Sequence, residues 1–134
     1  MRKVDNAWFV APGACLEGVK KEGNVVCLAH RSGFHNPDLA AASDFPVGKA
    51  GYETIAEALA AGAYFAYVLC ENFRESFHLG EFLRREAMGF EISESEFQAA
   101  SWLERLEELL SASQGLVPRE SGAMMAALSL ADWM

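Results

Sequence analysis

An α+β fold, in which a small antiparallel β-sheet from an N-terminal meander packs against three to four α-helices around a central apolar helix, is predicted by three features of the chain. Residues 4 to 30 alternate short β-prone segments with turn residues. The stretch from Tyr52 to Phe73 is long and nearly uncharged, and Ser93 opens a capped, amphipathic run. One domain over residues 1–134 is the natural expectation for this length, since such a chain buries about two-thirds of its extended surface.

In the meander, Trp8 to Val10 reads as a strand ended by the turn pair Pro12-Gly13, with Ala14 to Lys20 as its return. Lys21-Glu22-Gly23 then turns the chain into Asn24 to His30. Along this third segment Val25, Cys27 and Ala29 alternate with Val26, Leu28 and His30. Both faces are fairly apolar, which places it as the central strand.

Arg31 to Ala50 is the least regular stretch. Asn36 as N-cap, Pro37 at N1 and Asp38 in the first turn open a short helix that stops before Asp44-Phe45-Pro46. Long connections often carry function, so a site is sought here first.

Tyr52 to Phe73 reads as the central helix because it is rich in Ala and Leu, with Ile55 and Val68 its only β-branched apolar residues. Thr54 and Glu57 match a capping box, and Gly51 just upstream is an alternative start. Between Thr54 and Cys70 the only charge is Glu57, and a helix apolar all round must be covered by other elements. The uncharged core from Ala58 to Cys70 falls short of the roughly 20 residues that span a bilayer, so the helix is expected inside a soluble domain and no membrane is expected as a partner. Ala58, Gly62 and Ala66 stack at i, i+4 and i+8, forming a groove where a second helix could approach closely; a homodimer through these three residues is the leading expectation.

A further helix is expected to end at Met88, with Arg84 and Arg85 in its last turn and Gly89 as the C′ residue. Ser93 with Glu96 makes a capping box and Ile92 with Phe97 a hydrophobic staple, opening a helix to about Ala112 with Phe97, Ala100, Leu103, Leu106 and Leu110 on one stripe. Its other face carries Glu94, Glu104, Glu107 and Glu108. Arg119 to Asp132 reads as a last helix.

The formal charge of −8, with no cluster of Lys or Arg beyond pairs such as Lys20-Lys21, argues against nucleic acid and anionic membranes and leaves a basic protein as a conceivable partner. Three cysteines without a C-x-x-C spacing read as reduced thiols, and MRKVDNAWF lacks the apolar core of a signal peptide; the expected compartment is the cytoplasm.

The polar residues with chemical capacity are His30, His35 and Asp38, where a strand becomes a loop, and Tyr64 and Tyr67 on the apolar stretch. Together they are the candidate ligand site, between the loop of residues 30–44 and the helix. Their spacing matches no zinc motif, so no metal is assigned, and no phosphate loop, dinucleotide fingerprint, nucleophile elbow or EF-hand loop occurs, so no cofactor or catalytic residue is assigned. The expected function is therefore a homodimerising interaction module. The alternatives are a small-molecule-binding protein or enzyme, and an acidic adaptor for a basic partner.

Overall fold

The structure, a computed structural model, describes residues 6–113, 116–120 and 122–133. Its elements are of mixed α+β type, with two three-stranded sheets and six α-helices among the described residues. The chain divides into two compact units, Met1–Leu39 and Ala40–Met134. The first two residues of the expected meander, at positions 4 and 5, lie outside the described residues, as does position 121 in the expected last helix.

In the first unit, β1 (Phe9–Cys15), β2 (Val19–Glu22) and β3 (Val25–Ala29) form a sheet in the order β1-β3-β2. The β3 strand is central, as its two apolar faces indicate. The sheet is mixed rather than an antiparallel meander: β2 pairs antiparallel with β3, but β1 runs parallel to it. Gly23, at φ +59°, takes the first central position of the two-residue β2–β3 turn, the place where type II′ turns require glycine. Between Pro12 and Cys15 the β1–β3 register slips, leaving Gly13 and Ala14 as a bulge. Helix α1 (Asn36–Ala42) spans the division between the units, and the His35 carbonyl accepts the Leu39 N–H at 3.1 Å. The helix thus begins one residue earlier than expected, with His35 rather than Asn36 at the N-cap.

The second unit is built on β4 (Val47–Lys49), α2 (Tyr52–Ala61), β5 (Phe65–Val68), α3 (Ser76–Arg85) and β6 (Gly89–Glu91). Its three strands are all parallel, in the order β4-β5-β6. The expected helix from Tyr52 to Phe73 is therefore corrected: it ends at Ala61, and its second half is a strand. Gly62 closes α2 in the left-handed conformation (φ +65°), and the Ala63 N–H returns to the Ala58 carbonyl at 2.9 Å. All four residues of β5 are buried. Phe65 and Tyr67 pack with Ile55, Ala58, Leu79 and Leu83 on one face. Ala66 and Val68 pack with Ile92, Val47, Phe90 and Trp102 on the other. A parallel strand covered on both faces reads as a continuous apolar run, which is why helix and strand look alike here.

Gly89 is not a helix C′ residue but the start of β6. A Cβ there would collide with the Phe65 carbonyl oxygen and lie 3.0 Å from the Tyr67 ring. The left-handed position after α3 is taken instead by Ala87 (φ +50°). The capping box of Ser93 and Glu96 forms, opening α4 (Glu94–Ala99). Ile92, however, is buried in the core while Phe97 remains 43% exposed, so the expected staple yields to the sheet. The single helix to Ala112 is broken by left-handed Ala100, with a 3-10 turn (Ser101–Arg105) leading into α5 (Leu106–Ala112). Leu116 to Glu120 runs past the end of α2. The Arg119 N–H donates to the Leu59 carbonyl (3.1 Å), and its guanidinium donates to Glu86 (2.7 Å). Helix α6 (Gly122–Ala131) buries none of its residues.

Candidate ligand-binding site

In open parallel sheets ligands bind outside the carboxyl ends of the strands, typically at a reversal of strand order, which the sequential order β4-β5-β6 does not have. At the carboxyl edge of the second unit lies a hollow of about 360 Å³ lined by Lys49, Cys70, Glu71, Asn72, Phe73 and Glu94. Lys49 is the last residue of β4, Cys70 to Phe73 form the loop after β5, and Glu94 begins α4 after β6, so every strand of the sheet contributes. The β5 loop is held by Ser76, whose buried hydroxyl donates to the Cys70 carbonyl at 2.7 Å. The Lys49 ammonium lies 5.6 Å from the centre of the Phe73 ring, within cation–π range.

Two residues beyond Lys49 the chain enters α2. Its N-cap is Gly51, so no side chain caps the first turn, and the Thr54–Glu57 box expected from the sequence does not form. Gly51 has an ordinary extended backbone (φ −124°), and a Cβ on it would meet no atom within 4 Å. Neither conformation nor packing in the described residues requires glycine there. The first-turn amides of α2 thus have no side-chain cap, at a helix end whose dipole favours an anion, and Glu53 is the acid in that turn.

The residues singled out from the sequence are placed elsewhere. His30, His35 and Asp38 belong to the first unit and are exposed, His30 following β3 and the other two at the start of α1. Tyr64 and Tyr67 belong to the second unit, on and just before β5. Tyr67 is buried in the core; burial foremost, then the Glu91 carboxylate, holds its phenol above the ordinary value, with Arg84 opposing. Tyr64 is half-buried, and burial followed by Glu108 raises it likewise. Among the described residues no three His, Cys, Asp or Glu side chains gather as a metal site.

Of the expected interface, Ala58 and Ala66 are buried, and Gly62 is covered by Val117 and Pro118 of the same chain. Because β5 has replaced the second half of the helix, the three do not form a helical groove. On the acidic face, Glu108 accepts two hydrogen bonds from Arg105 at 2.9 Å. Sequence reasoning missed Lys49, Gly51 and the 70–73 loop. The available signal was the apolar run after Gly62 being short, aromatic and bounded by glycine, a strand pattern that implies a β-α-β unit with the preceding helix.

No family model matches the chain. Over 104 residues, 78% of its length, it is 34% identical to L-arabinokinase of Arabidopsis thaliana, and it spans only 10% of that protein. No solved structure matches. Among the described residues no helix is long and apolar enough to cross a membrane.

Proposed function

We propose that the second unit binds a small phosphate-bearing ligand of the sugar phosphate or nucleotide kind at the carboxyl edge of β4 and β5. The observation that carries this reading is the uncapped N-terminus of α2 behind Gly51, next to the Lys49 cation. Amides and ammonium there suit phosphate oxygens, while Glu71, Asn72 and Glu94 offer acceptors and a carboxamide to hydroxyl groups, and Phe73 offers an apolar face to a sugar or base. The similar Arabidopsis protein is by its name a kinase of a sugar. This chain, whose matched residues span a tenth of that protein, is assigned the binding of such a ligand rather than the whole reaction, in the cytoplasm, where its three free thiols suit a reducing compartment.

Titration of isotope-labelled protein with inorganic phosphate, ADP and a hexose phosphate tests the reading. The amide resonances of residues 51–54 should shift on addition of at least one of them. Lys49→Ala should weaken that binding by about tenfold or more, the worth of one charge-assisted hydrogen bond. Unmoved resonances with all three ligands, or undiminished affinity in Lys49→Ala, would refute it.

Self-association is a second reading, favoured by the exposure of Leu128, Leu130 and Trp133 along α6 and just beyond it (57%, 68% and 91%). A monomeric mass in native mass spectrometry across the micromolar range would sink it.

A further inference from the structure

Cys15 and Cys27 are both free and half-buried in the first unit. Cys15 stands opposite Ala29 in the parallel register, and Ala29 shares its face of β3 with Cys27, so both thiols project to one side of the sheet. They line one hollow of about 460 Å³, together with Gly13, Ala14, Lys20 and Glu22. The Cys15 Sγ–H is within hydrogen-bonding reach of three carbonyls, those of Cys27 (3.4 Å), Gly18 (3.6 Å) and Glu17 (3.7 Å).

We propose that Cys15 and Cys27 are a dithiol–disulfide pair, converted to an intramolecular bridge by a low-molecular-weight disulfide such as oxidised glutathione. Diagonal neighbours on regular strands, with Cβ atoms roughly 7–8 Å apart, lie beyond the reach of a disulfide without backbone movement. Here the ladder is interrupted immediately before Cys15: Gly13 and Ala14 have no partners in the β3 register, and Gly13 adopts φ +73°. The bulge gives Cys15 the freedom to close the remaining gap while Cys27 stays fixed in the central strand.

Lys20 lies directly opposite Cys27 in the β2–β3 register and on the same hollow, so its cation faces an incoming anionic disulfide at Cys27 first. The Cys27 thiolate attacks one glutathione sulfur, breaking that S–S bond and releasing one glutathione thiolate. The Cys15 sulfur, as thiolate, then attacks the Cys27 side of the mixed disulfide and releases the second glutathione. The two cysteine protons end on the two glutathione thiols; the protein loses two electrons and the glutathione disulfide gains them.

The full chain is equilibrated in glutathione buffers of rising oxidised fraction, alkylated with N-ethylmaleimide and mapped by peptide mass spectrometry. The alkylated thiols should fall from three to one, with the Cys15 and Cys27 peptides joined and Cys70 still alkylated. Retained glutathione on both cysteines, a bridge to Cys70, a bridge between chains, or three alkylated thiols in the most oxidising buffer would each overturn the proposal. In Cys15→Ser the reaction should stop at one glutathione on Cys27. A Cys15→Ser chain that stays unmodified would overturn the assignment of Cys27 as the entering thiol.

Discussion

Replacing Gly62 by alanine perturbs one atom with three consequences. The residue sits at φ +65°, and a left-handed conformation costs an alanine about 1–2 kcal/mol. Its Cβ would lie 2.5 Å from the Pro118 nitrogen and 2.7 Å from the Val117 carbonyl carbon, backbone atoms that cannot rotate away. The 116–120 segment must therefore lift, with loss of the Arg119 N–H to Leu59 hydrogen bond, worth about 1 kcal/mol, and of the Arg119–Glu86 ion pair, a solvent-screened contact that adds little. Alanine restricts the unfolded chain more than glycine does, which offsets about 0.4–1 kcal/mol. The net expectation is a loss of about 2 kcal/mol. Urea denaturation of Gly62→Ala against wild type measures it, and hydrogen exchange at the Arg119 amide reports whether the segment has lifted. Arg119→Ala, which removes the ion pair but keeps the amide, should cost clearly less than Gly62→Ala. A Gly62→Ala protein within about 0.5 kcal/mol of wild type, or one whose Arg119 amide remains protected, would refute this account of how α2 is closed.

Two further outcomes follow from side chains and backbone already described. Gly89→Ala forces a methyl group onto the Phe65 carbonyl and the Tyr67 ring between two strands; it should cost about 1–3 kcal/mol or more, read as a lowered urea midpoint, and an unchanged midpoint would show that β6 does not approach β5 this closely. Hydrogen bonds from Arg119, then from Arg85, hold the Glu86 carboxyl below its ordinary range. A group so depressed stabilises the folded chain above the unfolded glutamate value and loses that contribution as pH falls through the lower folded value. Acid titration should therefore release Arg119 in wild type, followed by its side-chain resonances, while Glu86→Gln shows no such transition; identical acid profiles would count against the pairing.

Local chemistry was readable in the sequence and long-range pairing was not. The Ser93–Glu96 box is complete within four residues, and it forms as read. The two apolar faces of β3 announce a central strand whichever neighbours it has, so its place was legible while the parallel partner β1 was not. Tyr52 to Ala61 is helical on its own propensities. From Ala63 to Val68 the same apolar composition continues, but tertiary cover on both faces decides for a strand, and propensity has no access to that. The same cause hid the candidate site. Without β5 there is no parallel sheet, Val47-Gly48-Lys49 is three residues after a proline, and Gly51 looks like an alternative helix start rather than an opening. Ala100 in a left-handed conformation likewise breaks a helix whose apolar stripe runs on without interruption.

Because every strand of the second sheet runs the same way and each helix returns against it, the unit has two unlike ends. At one, the β4 and β5 strands run out beneath the uncapped start of α2 and an open hollow. At the other, the finishing turns of α2 and α3 are lashed together by one extended segment through Leu59 and Glu86. The segment that ties the two helices and the hollow proposed to take a ligand thus lie at opposite poles of the same three strands, so stability and the proposed binding can be probed by substitutions that share no residue.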